Sequence, residues 1–90
     1  MYGANEAGVP YDEKLPRYIR ITDITMDGKL KDTEKLSLPE DAAIDYILSD
    51  NDILFARSGA TVGKAFIYKK QYGKSAFAGY LIKVRLSRKN

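Results

Sequence analysis

Hydrophobic and polar residues alternate along two stretches of this chain, residues 18–24 and residues 80–86. Such alternation predicts strands, because successive side chains of a strand point to opposite faces of a sheet. In the first stretch Ile19 and Ile21 would pack against a core, which leaves Arg20 and its neighbours on the opposite face. That opposite face would be available to a ligand.

The second stretch is the cleaner of the two, with Tyr80, Ile82, Val84 and Leu86 alternating with Leu81, Lys83, Arg85 and Ser87. Half of the positions in the second set are basic. We therefore expect the face that carries Lys83 and Arg85 to be exposed to solvent or directed at a ligand, since charged side chains favour water.

Two further strands are predicted in the middle of the chain. Residues 52–56 are an apolar, β-prone run, and residues 64–69 have the pattern of a returning strand. They would form a hairpin whose tip is the loop of residues 57–63, and such a tip can reach into a groove of a ligand. Residues 27–28 and residues 72–74 carry glycine-based turn signals.

One short helix is predicted, from Pro39 to about Tyr46. Ser37 and Glu40 have the spacing of a capping box, which would place Ser37 at the N-cap, and proline is tolerated in a first turn. The preceding residues 30–35 are too polar to predict more than a loop or a frayed edge strand. The predicted fold class is α+β, with a mainly antiparallel twisted sheet or partial barrel and one short helix.

The composition indicates one small domain without disulfides. The chain has 90 residues, 44% of them hydrophobic, and contains neither Cys nor His, which makes a zinc site improbable. Ninety residues suffice for one domain at most, and we expect residues 1–16 and 87–90 to be loose or peripheral. No apolar run approaches the ~20 residues that span a bilayer, and no signal peptide is evident. We expect a cytoplasmic protein with no membrane association, no metal and no cofactor.

The charge of the chain is segregated along the sequence. All twelve acidic residues lie in residues 1–52 together with six bases, a net charge of −6, whereas residues 53–90 contain nine bases and no acid, a net charge of +9. The basic half should attract polyanions, and Tyr68, Tyr72 and Tyr80 are interleaved with its bases, as on many nucleic-acid surfaces. Two alternatives are open: the halves could neutralise each other in the fold, and the tyrosines could be buried in a sheet.

Two patterns that suggest catalysis are weak. Residues 59–64, Gly-Ala-Thr-Val-Gly-Lys, have three residues between the glycines where a phosphate-binding P-loop has four, and Ala65 follows where magnesium binding needs Ser or Thr. Two aspartate pairs in residues 41–52 are spaced as paired carboxylates, but a solvated helix face and a turn give the same spacing. We expect no enzymatic activity in this chain.

Residues 51–64, Asn-Asp-Ile-Leu-Phe-Ala-Arg-Ser-Gly-Ala-Thr-Val-Gly-Lys, are the most informative stretch. An apolar strand runs there into a loop in which Gly59 and Gly63 allow the backbone a close approach to another surface. The loop also concentrates donors of the types that contact phosphates and base edges, namely Arg57, Ser58, Thr61 and Lys64. This pattern indicates a nucleic-acid contact loop.

Three segments in the same order carry a resemblance to a known family: residues 51–64, Pro-Arg-Tyr-Ile-Arg-Ile-Thr-Asp-Ile at residues 16–24, and Phe-Ala-Gly-Tyr-Leu-Ile at residues 77–82. Together they resemble the target-recognition domain of the specificity subunits of type I restriction-modification systems. Such subunits carry two recognition domains separated by long helices that form a coiled coil, and no heptad run of that length is present here. The resemblance therefore implies part of one recognition domain.

The resemblance implies a sequence-specific DNA-recognition module that reads one half of a bipartite site in double-stranded DNA. The chemistry would belong to partner methyltransferase and restriction subunits of the same system. If part of the domain is absent, an exposed apolar face would remain, and pairing of two copies would cover it. The alternative is therefore a small self-associating protein-interaction module, such as a homodimer, that kept the fold without specific DNA binding.

The residues expected to contact DNA come from the loop, the first strand and the last strand: Arg57, Ser58, Gly59, Thr61, Lys64, Arg20, Thr22 and Lys83. Arg57 could bond guanine O6 and N7 together in the major groove, or could hold a phosphate instead. Ser58, Thr61 and Lys64 are expected at the DNA backbone. Asp23 could accept from a cytosine amino group, but capping of a turn is the interpretation that we favour.

Overall fold

A computed structural model describes residues 3–56 and 64–85 of the chain. Seven strands are described: β1 (Val9–Pro10), β2 (Arg17–Ile19), β3 (Leu36–Ser37), β4 (Ile53–Ala56), β5 (Ala65–Ile67), β6 (Ser75–Phe77) and β7 (Leu81–Val84). The helix α1 (Glu40–Ala43) continues into a 3-10 turn at Ile44–Tyr46, and further 3-10 turns lie at Ile21–Asp23 and Lys70–Tyr72. The predicted α+β class is confirmed, with α1 and its extension in the predicted place.

The first sheet is mixed and has the strand order β1-β3-β2-β6. β2 pairs antiparallel with β3 and parallel with β6, where Arg17 lies opposite Ser75 and Ile19 opposite Phe77. Every residue of β2 and β6 is buried. Burial of this kind is typical of parallel strand pairs, whose two faces are both covered by other elements.

The second sheet is antiparallel and has the order β5-β4-β7. In its central strand, Leu54 lies opposite Phe66 of β5 and opposite Lys83 of β7. The predicted hairpin is confirmed, since β4 and β5 pair directly on either side of residues 57–63. Among the described residues only one face of this sheet is covered: Leu54 and Phe66 are buried, whereas the adjacent Ile67 is 50% exposed.

Two buried clusters divide the molecule into layers. The larger cluster joins the two sheets and contains Ile19, Ile24, Leu48, Leu54, Phe66, Tyr68, Phe77 and Leu81. The smaller cluster lies between the first sheet and α1 and contains Ala4, Tyr18, Leu38, Ala43, Ala76 and Ala78. The first sheet is the middle layer, because Tyr18 and Ile19 of β2 belong to different clusters.

The first predicted strand is shorter than the alternation suggested. β2 ends at Ile19, and the chain then forms the 3-10 turn Ile21–Asp23 where a strand to Ile24 was expected. The carboxylate of Asp23 accepts the backbone N–H of Arg20 at 2.8 Å, which closes this turn. A local side-chain hydrogen bond of this kind competes with strand pairing.

The two glycine turns are confirmed. Gly28 has a φ of 82° and Gly73 a φ of 90°, in a backbone region that favours glycine. The polar segment that was expected as a loop leads into a strand that was not predicted, β3. With only Leu36 and Ser37, β3 is too short to show a hydrophobic period.

The predicted capping box at α1 is wrong. Ser37 belongs to β3, where its Oγ accepts the N–H of Asp12 at 2.9 Å, and Pro39 occupies the N-cap position. No side-chain hydrogen bond from the described residues caps α1. Leu38 explains the difference: it is fully buried and its N–H donates to the carbonyl of Pro16 at 3.1 Å, so the chain stays extended up to Pro39.

The two faces of the last strand agree with the expectation only in part. Leu81 is fully buried, whereas Tyr80 is 68% exposed and Val84 is 37% exposed. Because Lys83 and Arg85 alternate in step with Leu81, they share its side of β7. Exposure rises along this side: Leu81 is buried, Lys83 is half-buried, and the side chain of Arg85 is 57% exposed. The expected solvent or ligand face is therefore wrong at Leu81, where the side is part of the core, and agrees with the structure at Arg85.

The N-terminal segment contributes to the core and to the first sheet, which a loose end would not do. Ala4 is 1% exposed, and its N–H donates to the carbonyl of Phe77 at 2.9 Å. β1 pairs along the edge of β3. Residues 87–90, also expected to be loose, lie outside the described residues. In the two described ranges no helix is long and apolar enough to cross a membrane.

Candidate nucleic-acid interface

Four of the residues expected to contact DNA, Arg57, Ser58, Gly59 and Thr61, lie outside the described residues. Both ends of their loop are described. The N–H of Ala56 donates to the carbonyl of Lys64 at 3.1 Å, which extends the pairing of β4 and β5 to the edge of the loop. This hydrogen bond fixes the place at which the loop leaves the second sheet.

Lys64 connects the loop to the turn that follows β2. Its side chain is half-buried, and its Nζ donates to the carbonyl of Ile21 at 3.2 Å. The two residues are 43 positions apart in the chain. Because Arg20 and Thr22 flank Ile21, the contact brings three of the predicted DNA-contacting residues to one region of the surface.

The guanidinium of Arg20 is held by Asp23. Nε donates to Oδ2 at 3.0 Å and Nη2 to Oδ1 at 2.9 Å, and Nη2 also donates to the carbonyl of Glu34 at 2.8 Å. The side-chain hydrogen bond to Asp23 raises the pKa of Arg20. The bidentate fork that would read guanine is thus engaged within the protein, so a contact from Arg20 to DNA would have to come from Nη1.

Asp23 is a buried anchor for two arginines, and its geometry agrees with the turn-capping interpretation. It is 2% exposed, and its Oδ1 lies 3.8 Å from Nη2 of Arg17. Burial lowers the pKa of Arg17, an effect that Asp23 partly counteracts. Nη2 of Arg17 also donates to the carbonyl of Lys31 at 2.6 Å. The carboxylates of Asp32 and Glu34 also act on Arg17 and on Arg20, respectively, so acidic and basic groups are mixed beside the turn.

A groove of about 720 Å³ opens beside this turn. Its lining comes from residues 3–8, from Tyr18, from residues 20–22 and from residues 78–80. Thr22, which is exposed, therefore lies at the groove together with its neighbour Arg20. The groove was not predicted, because residues 3–8 show neither a helical nor a strand period.

Close backbone contacts build one wall of the groove. Ala4 and Ala78 form a parallel bridge, and a Cβ added to Gly3 would lie 2.2 Å from the carbonyl oxygen of Ala78. The hydroxyl of Tyr18 lies within donating distance of two carbonyls, at 3.1 Å from that of Ala4 and at 2.7 Å from that of Glu6. Burial raises the pKa of Tyr18, so this donor keeps its proton. The wall is therefore preformed.

The three tyrosines of the basic half have different environments. Tyr68 is 3% exposed, and its hydroxyl donates to the carbonyl of Gly73. The ring of Tyr72 packs on Phe66, with 5.5 Å between the ring centroids. Tyr80 is 68% exposed and lines the groove. Tyr72 is also 46% exposed, so Tyr80 is the most exposed of the three and the one that lines the groove.

The acidic and basic halves neutralise each other only in part. Nζ of Lys74 pairs with Glu40 at 3.3 Å, and Nε of Arg85 pairs with Asp52 at 3.0 Å. Two further lysines contact neutral oxygens: Lys64 the carbonyl of Ile21, and Lys69 the amide of Asn51. The charges of these two lysines stay available to a polyanion.

Lys83 does not join the other predicted contact residues. It is half-buried on the core face of β7, with Nζ 5.7 Å from the centroid of the Phe77 ring. It is also absent from the lining of the groove. The sequence pattern identified Lys83 as a base in a strand but could not show which side of that strand is covered.

The candidate carboxylate pair of Asp50 and Asp52 has structural contacts. Asp50 accepts the backbone N–H of Lys70 at 2.7 Å, and Asp52 is 1% exposed. Burial alone would raise the pKa of Asp52, but hydrogen bonds from Arg85 and from the N–H of Ser49 outweigh it and hold the pKa below its ordinary value. Within residues 3–56 and 64–85 no group of three or more acidic side chains is placed to hold a metal ion.

Neither a scan against models of known protein families nor a search of curated proteins finds a match to this chain.

Proposed function

We propose that this chain is a sequence-specific DNA-recognition module of the type found in type I restriction-modification specificity subunits. In that role it would direct partner methyltransferase and restriction subunits to a bipartite site and perform no chemistry itself. The observation that carries the proposal is the hydrogen bond from Lys64 to Ile21. Through it the base of the hairpin loop, the turn of residues 20–22 and the groove form one continuous surface.

The charges of this surface suit a phosphate backbone. Lys64 contributes an ammonium group whose described partner is a neutral carbonyl. Arg20, whose side chain is 31% exposed, adds a guanidinium group to this surface, although Asp23 offsets its charge. Lysine and arginine at such positions supply the sequence-independent part of DNA affinity through release of counterions.

Salt dependence of DNA binding tests the proposal. Fluorescence anisotropy of a labelled duplex should give a slope of log K against log salt of roughly −3 to −4, as expected for three to four phosphate contacts. The variant Lys64→Ala should reduce the magnitude of that slope by about one. Lys70→Ala is the matched control, since Lys70 lies at the other end of the hairpin, beside Asp50.

Base reading has its own test. Selection of bound duplexes from a randomised pool should give a defined motif with the unmodified chain, and Arg57→Ala should relax the preference at one base pair, at a cost of ~1 to 3 kcal/mol at the selected site. Lys64→Ala should weaken all sequences alike. A slope near zero for folded protein in the salt series, with no motif selected, would reject DNA recognition.

A second candidate function, self-association, is favoured by the outer face of the second sheet. This face carries six apolar side chains: Ile53, Phe55, Ala65, Ile67, Ile82 and Val84. Cross-strand pairing makes it continuous, since Ile53 lies opposite both Ile67 and Val84. Phe55 is 40% exposed and Ile67 is 50% exposed. Contiguous exposed apolar surface of this kind marks interaction sites.

Light scattering at tens of micromolar protein tests self-association, because it measures the oligomeric state. A dimer that Phe55→Ser converts to a monomer would place the interface on the outer face. A monodisperse monomer of the unmodified chain would reject self-association. It would leave the DNA proposal intact, because neither Lys64 nor any residue that lines the groove belongs to the outer face of the second sheet.

A further inference from the structure

Tyr80 is the most exposed aromatic side chain of the described residues, at 68%. It directly follows Gly79 at the end of a buried segment, and it lines the groove. A tyrosine combines a large apolar ring with a polar tip, and such side chains are frequent where a ligand covers the ring. The position of Tyr80 therefore suggests a stacking surface.

Small residues line the groove next to Tyr80, namely Gly3, Ala4, Ala78 and Gly79. Gly3 has no room for a side chain, because a Cβ there would lie 2.2 Å from the carbonyl oxygen of Ala78. A Cβ at Gly79 would lie 3.2 Å from the carbonyl oxygen of Ala4. The hydrogen bonds of Tyr18 hold this backbone in place. These glycines project no side chains into the groove, so a planar ring has a preformed wall of backbone to lie against.

Polar residues are part of the lining of the groove. Thr22, Asn5 and Glu6 carry a hydroxyl, an amide and a carboxylate, groups that can donate to or accept from the edge of a planar ring. Lys64 does not itself line the groove, but its ammonium donates to the carbonyl of Ile21, which does, and so supplies a positive charge beside the groove. A planar heterocycle with an attached phosphate has both features.

We propose that this groove binds a nucleotide, with the base stacked on Tyr80 and the phosphate near Thr22 and Lys64. The inference rests on the proposed function for its main source of nucleotide, an unpaired nucleotide in duplex DNA. A free nucleotide has the same chemistry and is the second source. Thr22 and Glu6 would then select among bases through the edge of the ring, since stacking itself is tolerant of base identity.

Two duplexes that differ in one nucleotide test the proposal. One carries a single extrahelical 2-aminopurine, and the other carries the same base paired with thymine. The extrahelical duplex should bind about fivefold or more tightly, as expected from the cost of removing one aromatic stacking partner. Its 2-aminopurine fluorescence should fall on binding. Calorimetry with AMP alone, and competition by AMP, then distinguish a free nucleotide from one that must be part of DNA.

Variants assign the effect to the ring. Tyr80→Ala should bind both duplexes with the affinity of the paired one, whereas Tyr80→Phe should keep the preference. Tyr11→Ala is the matched control, because Tyr11 is 43% exposed but lies outside the groove, under Nζ of Lys35 at 4.5 Å from the ring centroid. Far-UV circular dichroism checks that each variant is folded.

The outcomes separate this proposal from the proposed function. Equal affinity for the two duplexes with a normal salt slope, or a preference that survives in Tyr80→Ala, would overturn nucleotide binding and leave DNA recognition in place. Binding of AMP that Tyr80→Ala abolishes, without binding of either duplex, would support the groove and reject DNA recognition. Absence of binding to both duplexes and to AMP would reject both proposals.

Discussion

The two sheets of this domain differ in how they are covered. Every residue of β2 and β6 in the first sheet is buried, with α1 on one side and the second sheet on the other. The second sheet buries Leu54 and Phe66 and leaves Phe55 and Ile67 open on its outer face. The difference indicates that strands β2 and β6 form a structural layer, whereas the second sheet has an outer face that the described residues leave uncovered.

Substitution of matched aromatic residues should give the largest difference between the two sheets. Phe77 of β6 is fully buried, whereas Phe55 of β4 is 40% exposed. Phe77→Ala should lower the free energy of unfolding by about 3 to 5 kcal/mol, because it opens a cavity between the sheets. Phe55→Ala should cost about 1 kcal/mol or less. Urea denaturation followed by circular dichroism measures both, and comparable losses would contradict the assignment of an open outer face.

An intermediate effect is expected at the ion pair that joins the start of β4 to the end of β7. Asp52 is 1% exposed and binds Arg85. Asp52→Asn should cost roughly 1 to 3 kcal/mol at neutral pH, since it weakens hydrogen bonds at a buried acceptor. Glu40→Gln is the matched control. Both side chains of the Glu40–Lys74 pair are exposed, so this pair should contribute little to the free energy of unfolding.

The pH dependence of this pair has a defined sign. The pKa of Asp52 lies below its ordinary value of 3.8 in the folded chain. Its contribution to stability is therefore complete above that value and is lost as the pH falls through the lower, folded pKa. Thermal unfolding from pH 6 to pH 2 should show a steeper acid decline for the unmodified chain than for Asp52→Asn. Parallel declines would mean that other carboxylates determine the acid stability.

The smallest effect is expected on the outer face of the second sheet. Ile67→Thr keeps a β-branched residue and removes an apolar group from a side chain that is 50% exposed. The free energy of unfolding should change by no more than ~0.5 kcal/mol, and chemical denaturation at two protein concentrations measures it. A larger, concentration-dependent loss would show that a second copy covers this face.

Local signals allowed part of the fold to be predicted. The hairpin of β4 and β5 followed from two apolar runs that flank one loop, and Gly28 and Gly73 marked turns that need a positive φ. These features depend on neighbouring residues, so a single sequence contains the necessary information. The short helix was predicted for the same reason, although its start was placed too early.

Features that depend on distant residues were not predictable. The parallel pairing of Arg17 with Ser75 leaves no local pattern, and neither does the two-residue strand β3. The alternation predicted for the last strand was correct. Alternation alone does not show which face of a strand is covered, and in the structure the covered face is the one that carries Leu81. The groove was missed because its walls come from four separate segments.

For the candidate site, the sequence indicated residue types but not their neighbours. Lys64 and Thr22 were selected separately, and their proximity depends on a contact across 43 positions. Arg20 was selected as an exposed donor, and its engagement by Asp23 became visible only in three dimensions. Tyr80 was one of three tyrosines with similar sequence surroundings, and the structure shows that their exposed fractions differ.

The parallel pairing of β2 with β6 also has a consequence for synthesis of the chain. β2 acquires its second neighbour only after Ser75 to Phe77 have been made, because these residues provide its parallel partner. At typical translation rates the delay is on the order of several seconds. During this interval the nascent chain carries an incomplete sheet. Its net charge is −6 when residue 52 has been made and reaches −1 at residue 74, because Arg57, Lys64, Lys69, Lys70 and Lys74 precede β6. The charge repulsion that opposes aggregation is therefore greatest early in the interval and is nearly gone when β6 arrives.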